Sequence, residues 1–175
     1  MNRKQKGYIQ LYTGAGKGKT TAALGLALRA SGAGLRVYIA QFVKGSESGE
    51  RKALAKLSRA VTIRPFGARS FIKKNPAKID RTLAAKGLAE VSAIIAAGRH
   101  DLVILDEICV ALRLGLFSLE PVLEMLKTRP GHVEIILTGR NAPQALIDAA
   151  DLVTEMREIR HYFQKGVRAR RGIEF

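Results

Sequence analysis

Nine residues near the start of the chain, Thr13-Gly14-Ala15-Gly16-Lys17-Gly18-Lys19-Thr20-Thr21, limit the folds open to it more than any other stretch. They follow a short apolar run, Tyr8-Ile9-Gln10-Leu11-Tyr12, and lead into an Ala- and Leu-rich segment, Ala22 to Ala30. A glycine-rich turn therefore lies between a strand and a helix. Glycines there let successive backbone N–H groups converge without Cβ clashes, and the helix N-terminus adds positive potential, so the turn suits phosphate oxygens. Lys19 is spaced to reach a phosphate chain, and the Thr20 hydroxyl to help hold Mg2+. Gly18-Lys19-Thr20 fit the pattern G-x-x-x-x-G-K-[ST], whereas Thr13 stands where the first glycine belongs, with Gly14 one place later and an extra Lys17 inside the turn. A glycine-rich turn with surface lysines would share the composition, but not the strand–loop–helix setting that marks a nucleoside triphosphate site. Gly14, Ala15, Gly16, Lys17, Gly18, Lys19, Thr20 and Thr21 are the candidate nucleotide-binding residues.

A second motif lies downstream. Asp101-Leu102-Val103-Ile104-Leu105-Asp106-Glu107 reads as a buried parallel strand that delivers two carboxylates at its end. Beside a phosphate loop, an aspartate there orders the Mg2+ shell and offsets triphosphate charge. Thr20, Asp106 and Glu107 are thus the candidate metal-site residues; Glu107 could ligate the metal or activate water. An acidic pair capping the next helix would look similar, but lacks the upstream partner motif.

The remaining elements alternate. Strands are expected at Ile9–Tyr12, Leu35–Val43, Val61–Phe66, Val133–Leu137 and Leu152–Ile159. Helices are expected at Thr20–Ala30, Glu50–Leu57, Asp80–Ala97, Leu119–Leu126 and Pro143–Ala150. The pattern predicts one doubly wound α/β domain with a mostly parallel sheet, a P-loop fold of RecA-like type, over residues 8–175, preceded by a short basic tail, residues 1–7. Ligands of such sheets bind beyond the carboxyl ends of the strands. Lys44, in the polar loop after the second strand, and Arg140, after Thr138-Gly139, both belong to that edge. Cys109 reads as a small core residue in an apolar stretch, and the segment His161 to Phe175 is basic with no strong period.

A chain of 175 residues with 47% hydrophobic content buries a substantial core and is not disordered. The single cysteine excludes an intramolecular disulfide, and no run is long enough to span a bilayer, so a cytoplasmic location is expected. The net charge of +15 invites a nucleic-acid reading. The bases are scattered, however, Trp is absent and no base-stacking platform stands out, so nucleic acid is not expected as the ligand. A RecA-like Mg-dependent ATPase acting with nucleic acid is the alternative reading of these motifs.

From Gly14 onward the chain resembles the P-loop family of ATP:corrinoid adenosyltransferases, also called cob(I)alamin or cob(I)yrinic acid a,c-diamide adenosyltransferases. The residues that carry the resemblance are Thr13 to Ala23, Gln41-Phe42-Val43-Lys44-Gly45, Ile104-Leu105-Asp106-Glu107, Arg129-Pro130-Gly131-His132, Thr138-Gly139-Arg140, Asp148 to Asp151, and Gly166 to Phe175. The resemblance implies transfer of the 5′-deoxyadenosyl group of ATP to the Co(I) of a reduced corrinoid, with release of triphosphate, in cobalamin biosynthesis or salvage. It assigns ATP contact to the loop and catalytic roles to Lys17, Lys19 and Glu107, with Mg2+ near Glu107. It also implies a homodimer and a reduced flavodoxin-like electron donor, to which a basic surface is suited. Family members hold the corrinoid against aromatic side chains, one of them a Trp. That pair is not reproduced here, and Phe66 and Phe71 are the expected replacements, with Lys44 and Arg140 as further corrinoid or phosphate contacts. Only Met1 to Gly7 precede the first strand, where family members commonly carry a longer covering segment, so that segment is expected to be missing or replaced here.

Overall fold

The protein is described by a computed structural model that covers residues 5–43, 49–57, 60–67 and 75–174. Among these, six strands form one sheet: β1 (Ile9–Thr13), β2 (Val37–Phe42), β3 (Val61–Phe66), β4 (Leu102–Asp106), β5 (Glu134–Thr138) and β6 (Leu152–Glu155). Their order across the sheet is β3-β2-β4-β5-β1-β6, and every pairing is parallel. The expected doubly wound fold is thus present, with no antiparallel strand in the sheet. Burial follows position. Every residue of β2 and β4 is buried, as two-sided coverage requires, while edge strand β3 alternates and edge strand β6 is exposed throughout.

Helices cover both faces. On one, α1 (Lys19–Gly32) lays Ala23, Leu24, Ala27 and Ala30 on the sheet, and α2 (Gly49–Leu57) adds Leu54 over Val37, Ile39, Ile104 and Ile136. On the other, α3 (Lys78–Ala96) buries Ala84, Leu88, Val91 and Ile95, a helical repeat whose small members allow close approach. That face also carries α4 (Ile108–Arg113), α5 (Glu120–Lys127) and α6 (Gln144–Ala149), whose Ile108, Val122 and Leu146 are fully buried. The apolar stretch around Cys109 therefore forms a helix that periodicity did not single out; six residues are too few for a repeat to show.

Two boundaries differ from the sequence reading for tertiary reasons. The last strand ends at Glu155 rather than Ile159, because Met156 turns onto the phosphate loop and gives its carbonyl to Gly16 N at 2.6 Å. At the other end of the sheet, Gly7 belongs to the packed domain: its N–H donates to Gly131 O, and a Cβ there would stand 2.4 Å from the Val133 backbone.

The amino ends of the strands are tied together by charge. Asp151 accepts from Ile9 N at 2.8 Å and pairs with Arg129, which also donates to Gly7 O; Glu134 accepts from Tyr8 N at 2.7 Å. His132 Nε2 lies 3.0 Å from Gly98 O. Arg129 to His132 and Asp151 thus close the edge opposite the phosphate loop, where no reaction chemistry is expected of them.

Candidate active site

Of the eight loop positions named from sequence, Gly14 to Gly18 lie between β1 and α1, and Lys19, Thr20 and Thr21 form the first turn of α1. Gly18, at φ 116°, is the residue before the helix, and no side chain caps the N–H groups of the first turn. Those N–H groups have no intrahelical acceptor and are the natural donors to an anion. Gly14 and Gly16 answer a steric demand: a Cβ on either would stand 2.5 or 2.6 Å from Met156 O. Lys19 is 7% exposed and folds onto the loop, donating to Gly14 O at 2.8 Å and Gly16 O at 2.7 Å. Burial, and next the Arg140 guanidinium, lower its pKa. A polyanion brought to this loop relieves both effects.

The acid strand meets the loop through hydroxyls. Asp106 is 1% exposed, and its Oδ1 accepts from Thr20 at 2.8 Å and from Thr138 at 2.8 Å; Gln41 Nε2 donates to Oδ2 at 3.2 Å. Thr138 belongs to β5, which lies between β1 and β4, so its hydroxyl reaches Asp106 from the neighbouring strand. That hydroxyl oxygen also accepts from Glu107 N at 2.9 Å. Gln41 and Thr138 are site residues that spacing alone did not single out.

Glu107 holds φ 61°, and Val43 and Asn141 hold φ 68° and 55°. These three non-glycine residues in the left-handed region all lie just past strand ends at the ligand edge. For Val43 the conformation is a true outlier, since a β-branched side chain crowds its own backbone there.

One cleft gathers Gly16, Lys17, Gly18, Lys19, Thr20 and Thr21 with Glu50, Glu107 and Arg140. His161, Ile173 and Glu174 complete its wall. The segment after β6, read from sequence as a basic tail, is therefore part of the site. Lys17 Nζ donates to Glu174 Oε1 at 2.9 Å, to Ile173 O at 3.1 Å and to the Tyr162 hydroxyl at 3.2 Å. Tyr162 in turn donates to Glu174, whose other oxygen accepts from Arg170 N at 2.7 Å. Hydrogen bonds from Arg170, Tyr162 and Lys17 hold the Glu174 carboxyl far below the usual carboxylate range. One signal was available: Glu174 is the single acidic residue in residues 160–175.

The sequence-named candidates separate as follows. Lys17, Lys19, Thr20, Glu107 and Arg140 share the cleft, and Asp106 touches it through Thr20. Phe66 does not. It is 5% exposed, stacked near Phe42 at 5.9 Å between centroids and pressed against α3, where a Cβ on Gly87 would stand 2.4 Å from its ring. A side chain locked in the core has no face to offer a corrinoid, so Phe66 is withdrawn as a contact. Phe71 and Lys44 lie outside the described residues. Cys109 is fully buried as expected; burial, and then the Glu107 charge, push its thiol up to about 12.

Among the described residues no group of three or more His, Cys, Asp or Glu side chains could hold a metal on its own. Mg2+ takes one or two protein oxygens and completes its shell with water and substrate phosphate. The Thr20 hydroxyl and the Glu107 carboxylate beside the loop are hard oxygen donors of this kind, with Asp106 behind Thr20. No helix among the described residues is long and apolar enough to cross a membrane.

Comparison with known proteins identifies the fold and the family. The solved KaiC-like protein of Pyrococcus horikoshii superposes over 87% of this chain and 73% of its own, with a TM-score of 0.59 at 19% identity, which shows the shared fold. The corrinoid adenosyltransferase of Pseudomonas aeruginosa is 33% identical over 99% of this chain and 86% of its own length. Corrinoid adenosyltransferase CobA of Salmonella typhimurium is 35% identical over 99% and 88%, and the corrinoid adenosyltransferase of a Sinorhizobium species is 36% identical over 98% and 81%. The model of the family described as ATP:corrinoid adenosyltransferase BtuR/CobO/CobP matches residues 5–175, and the chain belongs to that family of enzymes that adenosylate corrinoids.

Proposed function

We propose that this enzyme moves the 5′-deoxyadenosyl group of ATP to the Co(I) of a reduced corrinoid and releases inorganic triphosphate. The observation that carries this reading is the cleft itself, which joins a glycine loop, two lysines and an arginine in one place suited to a polyphosphate. Co(I) supplies its own electron pair. A cobalt–carbon bond forms as the C5′–oxygen bond breaks, and the pair from that bond leaves on the triphosphate. The protein must therefore orient C5′ and neutralise the departing charge, not provide a base or a covalent intermediate. Lys17, Lys19, Arg140 and the α1 N-terminus are placed for the second task, with Thr20 and Glu107 as the residues that would hold Mg2+. When bound, that ion would offset phosphate charge. Gly14, Ala15, Gly16, Gly18 and Thr21 form the rest of the ATP cradle.

The reading extends to a reduced flavodoxin-like donor that keeps cobalt as Co(I), which an acidic surface would suit given the net charge of +15. It further includes a homodimer, a cytoplasmic setting and a place in cobalamin biosynthesis or salvage. The test is an anaerobic assay with ATP, Mg2+ and chemically reduced cobalamin. We expect a light-sensitive cobalt–carbon product and one triphosphate per turnover, and Lys19→Ala to lower ATP affinity by about 100-fold or more. Orthophosphate as the released product, or near-normal activity in Lys19→Ala, would overturn the assignment.

A further inference from the structure

The proposed reading leaves one contact without a role: Lys17, inside the phosphate loop, is held by the chain's own segment after β6. An ammonium group has three protons to give, and here the acceptors are Glu174 Oε1, Ile173 O and the Tyr162 hydroxyl, at 2.9, 3.1 and 3.2 Å. A triphosphate in the loop needs the same protons. Its oxygens also approach a cleft wall that contains the Glu174 carboxylate, a like charge.

Glu174 has a second set of partners. Arg170 meets it through the backbone N–H at 2.7 Å and through two guanidinium nitrogens at 3.3 Å, and Tyr162 donates to the same carboxyl group. If Lys17 turns to a phosphate, Glu174 keeps a counter-charge and its hydrogen bonds. Lys17 is 44% exposed as a side chain, so water can follow it through the exchange. Neither partner is stranded in an apolar medium, which is the circumstance that makes breaking a buried pair costly.

We propose that Glu174 is an internal competitor for Lys17, which sets how tightly the loop holds polyphosphate and is displaced when nucleotide binds. The exchange couples occupancy of the loop to the segment that walls the cleft. Binding frees Ile173 and Glu174 from the loop, and loss of triphosphate lets them return, which favours product release. The inference rests on the phosphate-loop reading above and adds a residue that sets its affinity.

The test is titration calorimetry of inorganic triphosphate and of MgATP into the wild-type chain, E174Q, K17A and the double variant. An exposed ion pair of this kind is worth up to about fivefold in an equilibrium. We expect E174Q to tighten triphosphate binding by about that factor, K17A to weaken it, and the E174Q change to gain less in the K17A background than in the wild-type chain. Amide exchange in residues 170–174 is expected to quicken when triphosphate is added to the wild-type chain. A positioning role, in which Glu174 presents Lys17 to the phosphates, gives weaker binding in E174Q and overturns the proposal, as does unchanged affinity. E174Q is a conservative change, and its thermal unfolding curve checks that it is folded. Failure of the wild-type chain to bind triphosphate at all overturns both this inference and the reading beneath it, whereas wild-type binding with no gain in E174Q overturns this inference alone.

Discussion

Two carboxylates hold the phosphate loop, one through Thr20 and one through Lys17, and they do so in different media. Asp106 sits at the end of a central strand, 1% exposed, and collects Thr20, Thr138 and Gln41. Glu174 sits on an irregular segment at the cleft wall and collects Lys17, Tyr162 and Arg170, the two bases being 44% and 53% exposed. The chemistry is alike, a carboxylate accepting from hydroxyl and nitrogen donors. The surroundings are not. In the dry interior every lost hydrogen bond leaves a polar group with nothing in its place, whereas at the surface water replaces it. The first network is therefore suited to fix a geometry, the second to give one up. A site that must hold an anion rigidly and then release it needs both.

The contrast can be broken at several points. Beyond the loss of ATP binding in Lys19→Ala, the largest effect is expected from Asp106→Ala, which deprives two hydroxyls and an amide of their shared acceptor. We expect a loss of about 3 kcal/mol of stability by urea unfolding; a change under 1 kcal/mol would mean that the buried network does not anchor the loop. Gly16→Ala tests the junction between the two networks, since the new Cβ would stand 2.6 Å from the Met156 carbonyl that Gly16 N now meets. Relief requires the segment after β6 to move off the loop, at a cost of about 1–3 kcal/mol, and amide exchange there should rise while Asp106's neighbours stay protected. Glu174→Gln belongs lower on the scale: it is expected to change triphosphate affinity and leave the melting temperature where it was.

The smallest effect concerns Cys109, which lies near Glu107 and Lys19 and belongs to neither network. With its thiol pushed up to about 12, it should resist iodoacetamide in the native protein at pH 8. The native fold keeps a proton that the unfolded chain releases from about pH 9 upward, so this group makes stability fall as pH rises above that point. Cys109→Ala should flatten that part of the pH profile without loss of activity; rapid alkylation at pH 8 would show that the pocket beneath Glu107 is open.

Legibility in the sequence followed the locality of the physics. The phosphate loop and acid strand could be read because each is a continuous stretch in which spacing, glycine content and the switch from apolar to acidic residues carry the meaning. The fold class followed from strands and helices in alternation, and the burial of β4 from its apolar run, Leu102 to Leu105. Helix α4 was missed because six residues cannot show a period. Phe66 was misread because an aromatic at a strand end looks the same whether it meets solvent or, as here, a glycine on α3. Motifs at Arg129 to His132 and at Asp151 gave the resemblance its reach but turned out to lock the amino edge.

The residues alone determined that a glycine-rich turn before a helix, an acidic strand end and a parallel sheet had to occur together, because those features are written in consecutive side chains and in the conformations glycine permits. Only the tertiary structure decided which distant groups complete them. Thr138 lies 32 residues from Asp106, and Glu174 lies 157 from Lys17, separations over which no local pattern carries information. Strand order brought the first pair together, and the turn of the chain after β6 brought the second. The balance between a fixed anchor and an exchangeable one is a matter of how much water reaches the groups that each carboxylate holds, and folding sets that.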